Sequence, residues 1–147
     1  MRRRPHGKRF GTLVHAALAT VQLDADAVAV REAVVLQARV LGASADEATA
    51  AVDTVRAALA HPLLRRAAAA RRCRREAPVT LRLDDGTLVE GVVDVAFEEQ
   101  GAWTVVDFKT DVEVTGRLPE YRRQVALYVR AVARATGCPA SGVVLRV

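Results

Sequence analysis

At 147 residues the chain has room for one domain with a real core, and its 51% hydrophobic content is that of a globular protein rather than a disordered one. It carries 22 basic against 17 acidic residues, and the net charge of +5 favours an acidic partner, nucleic acid first among them. No apolar run reaches membrane-spanning length, and Cys73 and Cys138 are far apart with no CxxC. That argues against a zinc ribbon or a four-cysteine cluster and reads as two free thiols in a reducing cytoplasm.

Residues 1–10, MRRRPHGKRF, read as a basic arm, and no long apolar segment follows them as in a secretion signal. Residues 11–22 have helical spacing, with Leu13, Ala17 and Val21 beside Val14 and Leu18 on one stripe and His15 one residue off it. A second helix is expected over 26–41, with Val28, Val35, Leu36 and Val40 on its apolar side and Gly42 at its end. Ser44 and Glu47 fit a capping box that opens a third helix, whose inner face is Val52, Val55 and Leu59. His61-Pro62 closes it, and Pro62 starts a short helix over 62–73 that leads into an arginine-rich stretch, Arg65 to Arg75. Most of those arginines read as a solvated face; the alternative is a patch that tracks phosphates.

Residues 76–83 alternate as a strand and end at Asp84-Asp85-Gly86, a turn that leads to the strand from Leu88. The stretch EGVVDVAFEEQGAWTVVDFKT, 90–110, is then a hairpin of β-branched and aromatic residues with Gln100-Gly101 as its two-residue loop. If Gly101 makes that loop, Glu99 opposes Ala102, and counting back sets Asp94 opposite Asp107, with Cβ atoms about 4.5–5.5 Å apart. Lys109, two residues past Asp107, shares that face. If the first turn is a three-residue loop with Gly86 left-handed, Glu76 lies opposite Asp94 and lengthens the acidic row; a two-residue loop moves it off register. Residues 118–136 form a helix with Leu118, Val125, Val129 and Val132 toward the core and Tyr121, Gln124 and Tyr128 on one stripe. Residues 142–147 read as a final, buried, central strand, joined by a crossover that suits a parallel neighbour.

Charges in strands that are apolar on both sides need partners or a metal. A surface ion pair is the ordinary reading of any two of them. A glycosidase pair is disfavoured by the lysine and by the 4% aromatic content, and a nucleophilic hydrolase by the lack of G-x-S-x-G or a placed Cys–His pair. Phosphodiester hydrolysis fits best. Asp94 and Asp107 would hold Mg²⁺ or Mn²⁺ through oxygen, Lys109 would orient a water or steady developing charge, and Glu76 could complete the cluster.

G-x-x-x-H at 11–15, Arg75-Glu76-x-Pro78, G-V-V-D at 91–94, V-D-F-K-T at 106–110 and Y-x-x-Q-x-x-x-Y at 121–128 occur in that order. The set resembles the PD-(D/E)XK nuclease superfamily, most closely the C-terminal nuclease domain of RecB/AddA-type bacterial helicase–nucleases. The resemblance implies a restriction-endonuclease-like α/β (α+β) core over 11–147: helices first, then a three-stranded antiparallel meander, a helix and a further strand. It makes His15, Asp94, Asp107 and the Phe108 carbonyl metal ligands, and Glu76, Asp94, Asp107, Lys109, Gln124 and Tyr128 catalytic. Tyr121, Gln124, Tyr128, Arg72 and Arg75 become DNA contacts. It implies a Mg²⁺- or Mn²⁺-dependent deoxyribonuclease, exonuclease rather than endonuclease, cytoplasmic, acting on a single strand fed by a helicase motor within a larger helicase–nuclease. The four cysteines that hold an iron–sulfur cluster in some relatives are missing, so no cluster is expected. A nuclease-fold module that only binds DNA or a partner, and a stand-alone CRISPR-associated or resolvase-like nuclease, are the competing readings.

Overall fold

The computed structural model describes Pro5 and residues 7–147. They form two compact units. One is helical and runs through Ala68, with Thr110–Glu113 and Val147; the other contains the sheet, Ala69–Lys109 and Val114–Arg146.

In the helical unit, α1 (Lys8–Thr20), α2 (Ala27–Leu41) and α3 (Ala45–Ala60) pack on one another, and α4 (Pro62–Ala69) follows. The ends form as local chemistry dictates. Asp26 accepts the Ala29 amide at 2.8 Å, Gly42 closes α2 at φ 67, and Ser44 and Glu47 exchange both bonds of the capping box at 3.1 and 3.0 Å. Of the basic arm expected over residues 1–10, residues 1–4 and 6 lie outside the described ones, and Lys8, Arg9 and Phe10 are helical. Arg9 is held by Glu47, its Nε 3.2 Å from Oε2.

The inner face of α2 differs from the expected one. Val30, Val34 and Ala38 are buried, while Val28, Leu36 and Val40 are 64%, 59% and 72% exposed. Apolar residues occur nearly all round this helix, so its periodicity has no single maximum. Its packing against α1 and α3 therefore decides which stripe turns inward. On α3, Val55 and Leu59 are buried as expected and Val52 is half-buried.

The sheet has the order β1-β2-β3-β4: β1 (Arg72–Arg82), β2 (Leu88–Glu99), β3 (Ala102–Lys109) and β4 (Ala140–Arg146), with α5 (Asp111–Val114) and α6 (Leu118–Thr136) between β3 and β4. β1 begins four residues before the expected start, and α4 ends at Ala69 rather than at residue 73. Arg72 and Cys73 find partners in Glu98 and Phe97, and an Arg72–Glu98 ion pair at 3.5 Å adds to that strand pairing. The loop before β2 is the three-residue form. The Leu83 amide donates to the Thr87 carbonyl at 2.8 Å, and Gly86 has φ 88. At the second loop Gln100 and Gly101 have φ 51 and 80, the pair of positive values that a type I′ hairpin requires.

α6 lies on the sheet. Val125, Tyr128, Ala131 and Val132 are buried on it, and Tyr128 and Val132 share a core cluster with Val93, Ala96, Trp103 and Val105. Burying a side chain of this size stabilises by about 1.5–3 kcal/mol. Side chains alternate along a strand, yet Val93 and Ala96, three apart, belong to the same cluster. β2 therefore turns over between them, at the level where Glu76 on β1 adopts φ 48 and drops out of the ladder. β4 is parallel to β3 as expected but is an edge strand, not a central one, and Val143 is 37% exposed. A short run of apolar residues does not tell an edge strand from a central one; only the strand order does.

Candidate active site

The β2–β3 ladder runs from Glu99↔Ala102 to Val95↔Val106 and stops one step short of Asp94 and Asp107. The register is the one the Gly101 turn predicts, but the two aspartates are not a paired rung. Where the next backbone bond would fall, Oδ2 of Asp94 accepts the Phe108 amide at 2.8 Å. A carboxylate has replaced a carbonyl as the acceptor, so Asp94 is fixed to β3 through the residue that follows Asp107.

Asp107 is 5% exposed, and its Oδ2 has no hydrogen-bond partner although the Lys109 ammonium stands 3.1 Å away. The pair is close enough to attract but misaligned for a hydrogen bond. Lys109 Nζ also sits 4.6 Å from the centre of the Tyr121 ring, whose other neighbour is the Arg117 guanidinium at 5.4 Å. Tyr121, expected as a DNA contact, is therefore engaged with Lys109.

Tyr128 completes the group. Burial pushes its phenol above the ordinary value, and the nearby charges of Asp107 and Asp94 push the same way, while Lys109 and a hydrogen bond with Gln124 oppose them. One side chain thus feels both acids and the amine, so α6 brings Gln124 and Tyr128 to the acidic end of the hairpin.

Other expected residues lie elsewhere or in other surroundings. Glu76 stands at the register position opposite Asp94, but it is exposed and its left-handed backbone takes it out of the ladder. Arg72 is exposed and paired with Glu98. Arg75 is half-buried, and that burial lowers its pKa from the ordinary value. His15 belongs to the helical unit, where its Nε2 is 2.8 Å from Glu113 Oε1. The same Glu113 oxygen accepts the Thr110 amide at 2.9 Å and the Thr110 hydroxyl at 3.0 Å. Burial works against the charged form of Glu113, but the Thr110 amide and His15 outweigh it and hold its pKa below the usual value. Glu113 was missed in the sequence; its only signal is its place three residues after Thr110 in the segment that follows D-x-K.

Among the described residues no three His, Cys, Asp or Glu side chains gather as a ready metal cluster. What the sheet unit offers is two aspartates where the β2–β3 pairing stops, one with a buried oxygen that makes no hydrogen bond, and the backbone of Phe108 beside them. Hard oxygen donors few in number suit an ion such as Mg²⁺, which keeps several of its waters. The residues present fit such an ion.

The model of the PD-(D/E)XK nuclease superfamily matches residues 2–147. This chain belongs to that superfamily. Its mixed architecture, helices and then a four-stranded sheet, is that of a restriction-endonuclease-like PD-(D/E)XK fold. An ATP-dependent helicase/nuclease subunit from Geobacillus thermodenitrificans is 32% identical over 151 residues, which cover 83% of this chain and 12% of that protein. The proteins of the same name from Carboxydothermus hydrogenoformans and Alkaliphilus oremlandii are 42% and 34% identical over 65 and 59 residues. These matches cover 41% and 37% of this chain, and 6% and 5% of the two relatives. The chain thus spans a small fraction of the length of the helicase/nuclease proteins it is similar to. Among the described residues no helix is long and apolar enough to cross a membrane.

Proposed function

We propose that this PD-(D/E)XK domain is a divalent-metal-dependent deoxyribonuclease, working as an exonuclease in the cytoplasm within a helicase–nuclease that processes DNA ends. One observation carries the reading: a buried Asp107 with an unbonded oxygen, a lysine 3.1 Å away, and an Asp94 whose carboxylate is anchored on the amide of Phe108. Asp94, Asp107 and the Phe108 carbonyl would hold Mg²⁺ or Mn²⁺. When bound, the ion supplies polarisation of the scissile phosphate and a lowered pKa for a coordinated water. Lys109, seated on Tyr121, orients the attacking water and offsets charge developing on the phosphate. Gln124 and Tyr128 position the DNA strand beside the acids, and exposed arginines of β1 and α6, Arg72 and Arg122 among them, attract its backbone. A single strand delivered by a helicase motor is the proposed substrate; only the motor is taken from what the relatives are called. The proposed role of His15 rests on the G-x-x-x-H motif alone.

Digestion of linear single- and double-stranded DNA with Mg²⁺ or Mn²⁺ tests the reading, with Asp107→Ala and Lys109→Ala as comparisons. Equal degradation by all three proteins would end it. The second reading is a module that binds DNA or a partner without cutting it. Calorimetry with Mn²⁺ separates the two, since a scaffold has no need of a stoichiometric ion.

A further inference from the structure

Two glycines of the sheet lie directly under α6. Gly91 is in β2 and Gly142 in β4, both in strand backbone without a positive φ, so neither is required by its own conformation. Glycine weakens a strand interior, and where nothing local demands it the cause is a close approach. At Gly142 the approach is aliphatic: an added Cβ would stand 2.8 Å from Cγ2 of Val129 and closer still to Val125. At Gly91 the approaching group is the phenol of Tyr128. An added Cβ would be 2.6 Å from Cζ and nearer still to Cε1 and the hydroxyl oxygen.

We propose that Gly91 is a positioning residue for Tyr128: the bare backbone at position 91 is the seat on which the phenol lies, three residues before Asp94. The inference rests on the nuclease reading only for what Tyr128 does there. A rigid ring cannot curl away from an intruding methyl as a long flexible side chain can. Tyr128 is 7% exposed and packed among Val93, Val105 and Val132, so it has no free space to swing into. A methyl at 91 must lift the ring, and with it α6 at that turn, off β2. The phenol then loses its place beside Asp94, Asp107 and Lys109. A displacement of about 1 Å at a group that orients substrate costs up to about 10²-fold in rate.

The chain has two tyrosines, so in a Tyr121→Phe background labelled with 3-fluorotyrosine Tyr128 gives a single ¹⁹F resonance. Gly91→Ala is expected to increase its H₂O-to-D₂O solvent shift from that of a buried ring toward that of an exposed one. Gly142→Ala, which crowds the valines instead, is expected to lower stability while leaving that resonance in place. In a Tyr128→Ala background, adding Gly91→Ala is expected not to lower the melting temperature, because the atoms it would collide with are gone. If Gly91→Ala alone fails to fold, the double variant is expected to recover folding. An unmoved resonance, or a full Gly91→Ala penalty persisting without the Tyr128 ring, would overturn the seat. A wild-type protein that cuts no DNA would overturn the nuclease reading instead, since the resonance and the melting temperatures decide the seat without any turnover.

Discussion

At its turn, the β2–β3 hairpin closes on Gln100 and Gly101 with φ 51 and 80 and pairs regularly as far as Val95↔Val106; at the opposite end the pairing stops and the Asp94 carboxylate takes the Phe108 amide. The turn end pairs backbone with backbone, and only conformation constrains its residues. The site end gives up a rung, and the acceptor that replaces it is a charged side chain, an oxygen donor of the kind a hard cation prefers. Burial makes the difference consequential. Asp107 is 5% exposed, so an oxygen without a hydrogen bond there carries a desolvation cost that an exposed turn residue does not.

The largest expected effect lies at the site end. Asp107→Asn or Lys109→Ala should lower the DNA-cleavage rate by about 10²–10⁴-fold, the range for loss of a positioned proton-transfer or charge-stabilising group. Gel-based digestion in Mg²⁺ and in Mn²⁺ measures it, and an effect under about tenfold would place the chemistry elsewhere. Next come the two substitutions at Asp94. Asp94→Ala removes both the proposed ligand and the acceptor of the Phe108 amide, and should cost about 1–3 kcal/mol in urea unfolding. Asp94→Asn keeps an oxygen for that amide, so it should be nearly as stable as wild type yet lose Mn²⁺ binding in calorimetry. Equal instability of the two variants would mean that the Asp94–Phe108 bond does not hold the strand end.

Gly101→Ala probes the turn end. With φ at 80 the substitution forces an alanine into left-handed backbone, for about 1 kcal/mol of stability and no change in cleavage rate. A loss of activity without loss of stability would mean that the two ends are coupled. The smallest effect is sought outside the hairpin. Glu47, bonded first by Arg9 and then by the Ser44 amide, has its pKa lowered to about 2 from 4.5. A carboxyl whose folded pKa is depressed contributes stability above its unfolded value and loses it as the pH falls toward the folded one. The contribution should therefore fade between about pH 4.5 and 2, and Glu47→Gln should flatten that acid limb in a pH series of melting temperatures while leaving neutral-pH cleavage unchanged.

Much of this is written locally in the chain. Ser44 and Glu47 fix the start of α3, and Gly137 ends α6 at φ 70. Gln100-Gly101 fixes the second loop of the meander, and a loop of known length fixes the register of the strands it joins; at Gly86 a two- or a three-residue loop was compatible with the sequence, and the structure has three residues there. That is why the positions of Asp94 and Asp107 at one level of the sheet could be counted from the turn. The motif spacing on α6 likewise set Tyr121, Gln124 and Tyr128 on one stripe. The inner face of α2, the edge position of β4, the exposed Glu76 and the hold of Asp94 on Phe108 could not be read this way. Each depends on which distant element arrives at a surface, and short-range periodicity carries no information about that. Sequence determined where the strands turn, how β2 pairs with β3 and that Asp94 and Asp107 share a level. Only the tertiary structure decided which apolar stripe is buried, which rung of the ladder is surrendered to a carboxylate, and that a phenol from α6 rests on a glycine of β2.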